Sequence, residues 1–252
     1  MSSDRLRGFF KGRRSVLVAY SGGVDSSVVA KAAYDALGRN ALAVTFDTPT
    51  IPRRELKEAK ETTQRMGIKH IIVRYNELDD EDFRRNPPDR CYYCKRSMSA
   101  KLKEIAKEHG IDLIVDGTNV EDLKGHRPGY RALTEARISS PLAELGFTKK
   151  MVRTLARRYG LDYEKPSAAC LSSRIPRGER ITRSRLMRVE AAEDYLKSLG
   201  LSQVRVRLEG PRCENARIEV FRREFPTVLK NAERIVKRLK FSRVTLDLSG
   251  YS

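Results

Sequence analysis

The sequence predicts an α/β fold, a doubly wound parallel sheet followed by a smaller α+β domain. Three observations carry this. Short, wholly apolar runs alternate with amphipathic helical stretches through the first two-thirds of the chain. A stretch rich in irregular residues, with Pro166, Pro176 and Gly178, then interrupts the pattern over residues 162–180. Beyond it the order of elements changes.

Residues 15–20 read as a buried strand, and residues 28–37 repeat apolar positions at helical spacing until Gly38. A strand at 41–46, a helix at 55–66 closed by Gly67, a strand at 70–73, a helix at 97–109 and a strand at 111–115 continue the alternation. Such a sheet is covered on both faces, and its ligands gather beyond the carboxyl ends of the strands. A helix at 149–159 precedes the irregular stretch. After it come a helix at 183–199, strands at 203–208 and 217–221, a helix at 227–239 and a strand at 243–248. The domains are accordingly placed at 1–165 and 166–252.

With 252 residues, 40% of them hydrophobic and 33% charged, the composition is that of a globular protein. Its apolar runs fall far short of the roughly 20 residues a membrane span needs, and no secretory signal opens the chain. The expectation is a cytoplasmic location without a membrane partner. Four cysteines are too few for a disulfide scaffold and are expected as free thiols. The formal net charge of +18 attracts polyanions such as RNA or suits phosphorylated small molecules, and half of that excess falls after Cys170.

Directly after the first strand stands Ser21-Gly22-Gly23-Val24-Asp25-Ser26-Ser27, then a helix. Glycines let backbone approach an anion, the helix start directs N–H groups at it, and the serines add donors. No Gly-Lys-Ser or Gly-Lys-Thr follows, and the dinucleotide fingerprint is absent as well. The motif resembles the pyrophosphate loop (PP-loop) of the N-type ATP pyrophosphatases. That resemblance implies ATP cleavage between the α and β phosphates with Mg²⁺, with a substrate oxygen adenylated. It also assigns nucleotide contacts to Thr45, Phe46 and Asp47, and to Gly117, Thr118 and Asn119 with Asp122, the latter strand end having an ordinary turn as its alternative reading.

Cys91-Tyr92-Tyr93-Cys94 is flanked by Arg90, Lys95 and Arg96, and Cys170 lies in PSAACLSSR. Neighbouring cations favour the thiolate, the reactive and metal-binding form. Cys213, between Arg212 and Glu214, fits no pattern and reads as a small packing residue or an additional ligand. A structural zinc site competes for the CxxC but wants two further ligands, and a redox dithiol is a further alternative.

SGGVDSS, RCYYCK, PSAACLSSRIPRGERIT, Val204-Arg-Val-Arg207 and Ala216-Arg-Ile-Glu-Val220 together resemble the LarE family of ATP-dependent sulfur transferases. The resemblance implies an N-terminal ATP pyrophosphatase domain and a C-terminal domain for substrate binding and oligomerisation that includes the Cys170 loop. It implies a small nucleotide substrate, pyridinium dicarboxylate mononucleotide, a precursor of the nickel-pincer cofactor, with sulfide or a sulfur donor protein as partner and a homo-oligomeric state. Family members form a thiocarboxylate, either by sacrificing the sulfur of one cysteine, here Cys170, or by drawing sulfur from a 4Fe-4S cluster held by three cysteines. Cys91, Cys94 and Cys170 match the second branch, and three thiolates leave one iron open. Asp25, Arg174 and Glu193 are assigned to the chemistry. Arg205 and Arg207, on one face of a strand, are assigned to the substrate phosphate, with a polar sheet face as the alternative. Glu224 is a further acidic candidate. Two other readings remain open: thiolation of tRNA by the same ATP chemistry, and an RNA-binding protein that senses a nucleotide or an iron-sulfur cluster.

Overall fold

The computed structural model describes residues 2–125, 127–166 and 169–251. In chain order the elements are α1 (Ser2–Phe10), β1 (Val16–Ala19), α2 (Val24–Leu37), β2 (Ala41–Asp47), α3 (Arg53–Met66), β3 (Lys69–Arg74), α4 (Glu81–Arg84) and α5 (Arg90–Glu108). They continue with β4 (Leu113–Val115), α6 (Pro128–Glu135), α7 (Pro141–Glu144), α8 (Lys149–Arg158), α9 (Arg183–Ser198), β5 (Val204–Glu209), β6 (Asn215–Val220), α10 (Phe225–Lys230), α11 (Ala232–Leu239) and β7 (Arg243–Leu246). Two compact units result, one drawn from residues 1–77 and 89–168, the other from 78–88 and 169–252.

The first unit holds a parallel sheet in the order β3-β2-β1-β4, with Val16 of β1 opposite Ala41 on one side and Leu113 on the other. Alternation along β1 divides the core. Val16 and Val18 join Leu6 and Phe10 of α1, Val28 and Val29 of α2, and Val152 and Leu155 of α8. Leu17 joins Leu42, Val44, Leu102 and Ile105, the latter two on α5, with Leu133 of α6. Helices on both faces explain why β1 and β2 are nearly continuous apolar runs. In α3 the buried Leu56, Ala59, Thr63 and Met66 recur at helical spacing, and Gly67, at φ 79°, ends the helix by donating to the carbonyls of Gln64 and Thr63. Helix α5 starts at Arg90, seven residues before the predicted start, so Cys91 and Cys94 lie within its first turns.

The second unit is the expected small α+β module. Its sheet runs β5-β6-β7, antiparallel between β5 and β6 and parallel between β6 and β7. Along β5 burial alternates, with Val204, Val206 and Leu208 inward toward α9 and Arg205, Arg207 and Glu209 on the other face. Residues 78–88 fold with this unit through hydrogen bonds to residues 175–181. Ile181 N–H donates to the Arg84 carbonyl (2.8 Å), Asn86 Nδ2 to the Pro176 carbonyl (2.7 Å), and Arg180 holds both carboxylate oxygens of Glu81 at 2.6 Å. Among the described residues no helix is long and apolar enough to cross a membrane.

A polar chain links the strands of the first unit beneath the loops. Thr45 Oγ1 donates to the Tyr20 carbonyl (2.8 Å), and His70 reaches Thr45 Oγ1 through Nε2 and Thr63 Oγ1 through Nδ1, each at 2.8 Å. The Tyr20 ring meets the imidazole edge to face. Burial pushes the His70 pKa from 6.5 down to about 4, so the ring is neutral in the fold. A depressed pKa contributes stability that is complete above 6.5 and is lost as pH falls through about 4. In urea titrations, the unfolding midpoint of the wild type is expected to fall more steeply across that interval than that of His70→Gln; parallel curves would contradict the assignment.

Candidate active site

The loop after β1 is shaped by serine and glycine. Gly22 adopts φ 76°, a conformation that favours glycine, and a Cβ there would lie 2.9 Å from the Ala59 Cβ of α3. Ser26 Oγ accepts from Ser21 N–H (3.2 Å), contacts Ser21 Oγ (3.0 Å) and donates to the Gly23 carbonyl (3.1 Å), closing the loop on itself. Ser27 is buried and its Oγ lies 3.1 Å from Tyr20 Oη. Gly23 caps α2 with extended backbone, so the N–H groups of Val24, Asp25 and Ser26 begin the helix where an anion is favoured.

The loop after β4 packs directly on this helix start. A Cβ on Gly117 would meet Ser26 N at 2.6 Å and Ser26 Cα at 2.8 Å, backbone that cannot swing aside. Asp116, just ahead of Gly117, accepts from Thr118 N–H (3.1 Å), Thr118 Oγ1 (2.5 Å) and Ser140 Oγ (2.7 Å). Asn119 is fully buried. Its Oδ1 accepts from Asp122 N–H (3.2 Å), and its Nδ2 donates to Asp25 Oδ1 (3.1 Å), joining the two loops through side chains. Burial raises the Asp25 pKa, Asn119 opposes the rise, and the charge of Asp122 adds to it. Asp122 itself lies 3.5 Å from Lys149 Nζ.

After β2 the three nucleotide candidates part company. Thr45 and Phe46 are buried, Thr45 in the polar chain and Phe46 against the ring of Tyr75, whereas Asp47 is only half-buried and pairs with Arg53. In the second unit, Glu193 is 0% exposed and Arg174 5%. Arg174 Nε donates to Glu193 Oε1 (2.6 Å), which also accepts from Val206 N–H (3.1 Å), so the pair fixes α9 to β5 and to the turn after Cys170. Arg205 and Arg207 share a face. Arg205 stacks 4.2 Å over the Tyr251 ring, while Arg207 pairs with Glu219 (2.5 Å) and donates to the Ser173 carbonyl (3.0 Å). Glu224 accepts from Ser202 N–H (2.8 Å) and Phe221 N–H (3.3 Å), closing a turn.

Cys91 is exposed and Cys94 half-buried, three residues apart on α5, hence on one side of the helix. Helix α6 packs against α5 here, with Gly129 beside Lys95 and the Cys91 carbonyl. Cys170 is exposed, its Sγ 2.9 Å from Ser172 Oγ; within PSAACLSSR, Ser167 and Ala168 lie outside the described residues. Cys213 is buried in the turn between β5 and β6, and burial pushes its thiol pKa up. Among the described residues no three His, Cys, Asp or Glu side chains form a metal-holding group. In kind, however, a thiol pair on one helix face and a third, exposed thiol match the soft donors an iron-sulfur cluster takes.

A family model described as NAD synthase matches residues 9–114, the span of the phosphate loop and its sheet. An uncharacterized protein of Synechocystis is 42% identical, with 98% of this chain and 94% of that one aligned. The pyridinium-3,5-bisthiocarboxylic acid mononucleotide synthase of Lactiplantibacillus plantarum is 36% identical over 96% of this chain and 88% of its own. The chain belongs to the LarE family. It is an ATP-dependent sulfur-transferring enzyme. More distantly, the tRNA-specific 2-thiouridylase of Geobacter metallireducens is 29% identical over 60% of this chain and 52% of its own.

Around these candidate loops, Asp116 is absent from the residues singled out in the sequence, although its Asx-type turn is legible in Asp-Gly-Thr. His70 is absent from them as well, and no local signal distinguishes it. A raised Asp25 pKa means that its ionised form opposes folding near neutrality, an effect relieved as pH falls through the folded pKa. Asp25→Asn is therefore expected to raise the urea midpoint at pH 7 while lowering pyrophosphate release about a hundredfold or more; lower stability with unchanged release would overturn the assignment. Glu193→Ala leaves Arg174 as a buried charge without its carboxylate and is expected to cost about 3–5 kcal/mol, read from denaturant unfolding.

Proposed function

We propose that this enzyme adenylates a carboxylate of pyridinium dicarboxylate mononucleotide and then replaces AMP with sulfur. The phosphate loop, with α2 behind it and Asp25 hydrogen-bonded to Asn119 in front, carries the reading. A carboxylate oxygen attacks the α phosphorus and pyrophosphate leaves, which turns a poor leaving group into AMP. Sulfur at the oxidation level of hydrosulfide then forms the C–S bond as the C–O bond to AMP breaks, with no net redox change. The N–H groups at the start of α2 take the phosphates, and Asp25 supplies a carboxylate for Mg²⁺ alongside phosphate oxygens. Arg205 and Arg207 offer cations to the substrate phosphate, while Arg174 and Glu193 hold the strand that bears them.

Cys91, Cys94 and Cys170 would hold a 4Fe-4S cluster, which when bound supplies an iron with an open position for hydrosulfide. The deciding assay follows pyrophosphate release and thiocarboxylate formation with the pyridinium dicarboxylate nucleotide and, in parallel, with unmodified tRNA. Release that depends on the nucleotide supports the proposal, and release that depends on tRNA overturns it. After anaerobic reconstitution, Cys91→Ala or Cys94→Ala is expected to abolish both visible absorbance and multiple turnover. Undiminished turnover, or a wild-type protein that loses one sulfur atom from Cys170 and carries dehydroalanine by intact mass, would replace the cluster route with sacrifice of Cys170.

A further inference from the structure

Lys165 stands outside every motif so far used. Its ammonium donates to the Gly22 carbonyl of the phosphate loop (3.1 Å) and pairs with Glu55 (2.9 Å) and Glu58 (2.7 Å) of α3. Its side chain is only 12% exposed. We propose that Lys165 is a positioning residue for ATP, holding the Gly22–Gly23 peptide with its N–H turned toward the triphosphate.

The peptide between Gly22 and Gly23 is planar. In a trans unit the carbonyl and the following N–H point in opposite directions, so fixing Gly22 C=O on one side fixes Gly23 N–H on the other. A cation on the carbonyl also polarises the unit and strengthens the N–H as a donor. Gly23 N–H reaches Ser21 Oγ at 3.4 Å, a long hydrogen bond that a phosphate oxygen would readily replace. Rotation of this peptide plane turns on ψ of Gly22 and φ of Gly23, both free of a Cβ, so the hydrogen bond from Lys165 adds a restraint that the glycine pair itself lacks. Glu55 and Glu58 keep the ammonium charged in spite of its burial, the two hydrogen bonds opposing the desolvation that would otherwise lower its pKa. They also hold it behind the loop. Lys165 immediately precedes Pro166, the first residue of PSAACLSSR.

The inference rests on the phosphate loop taking the triphosphate, and the test separates the two. Affinities of the full-length protein for ATP and for adenosine are measured by calorimetry in Mg²⁺ buffer, for wild type, Lys165→Met and Lys165→Met/Glu58→Gln. The double variant is included because the single one leaves two carboxylates facing each other. In both variants ATP affinity is expected to fall about tenfold or more while adenosine affinity is unchanged, with circular dichroism and urea midpoint confirming a folded protein. Equal losses for ATP and adenosine, or no loss for ATP in the folded double variant, overturn the role of Lys165. A wild-type protein that does not prefer ATP to adenosine overturns the loop assignment itself, and the role of Lys165 with it.

Discussion

Two glycines govern how closely backbone can approach backbone around the start of α2. Gly117 lies against the Ser26 peptide at distances that leave no room for a methyl group, and Gly22 lies against Ala59 of α3 in a conformation that L side chains rarely adopt. With both in place, the loops after β1 and β4 close around one helix terminus, and Asn119 can reach Asp25. The anion cradle is therefore a product of missing atoms as much as of donors. The helix terminus supplies partial positive charge, and the packing directs it.

The polar chain from Thr63 through His70 and Thr45 to Tyr20 occupies the layer below. It joins α3 to three neighbouring strands by hydrogen bonds that burial strengthens. Asp116 performs the corresponding task on the β4 side, accepting two hydrogen bonds from Thr118 within its own turn and a third from Ser140, far along the chain. Rigid support of this kind holds donors in place before a nucleotide arrives, which is how an enzyme avoids reorganisation during phosphoryl chemistry.

In the second unit the excess of positive charge is partly compensated within the sheet. Arg207 and Arg217 both face Glu219, and Arg217 also pairs with Glu209 and Asp247. Arg205 differs, its guanidinium lying on the ring of Tyr251. Of the two arginines assigned to a phosphate, Arg205 is thus held by an aromatic face and Arg207 by a carboxylate and a carbonyl. An anion approaching this face competes with Glu219 at Arg207 and not with the ring at Arg205, because a stacked guanidinium keeps its edge donors available.

Local pattern was sufficient for much of this protein. The apolar runs of β1 and β2, the helical spacing of α3 with its terminal Gly67, and the alternation along β5 each reflect a period set by backbone geometry, so the layers and the phosphate loop were legible from residues 15–27 onward. The start of α5 was not, because Arg-Cys-Tyr-Tyr-Cys carries no apolar stripe, and α5 packs along α6 in the fold. Nor does any periodicity mark residues 78–88 as part of the second unit, since hydrogen bonds to residues 175–181 decide that. Sequence by itself determined which chemistry is present: a strand–glycine–helix cradle, three thiols in CxxC and PSAACLSSR, and a basic C-terminal third. Tertiary structure decided which polar groups are available for it, burying Glu193 and Thr45, joining Asn119 to Asp25 and bringing Lys165 to Gly22. Hydrogen bonds and steric approach between residues far apart in the chain depend on distances that no local period encodes.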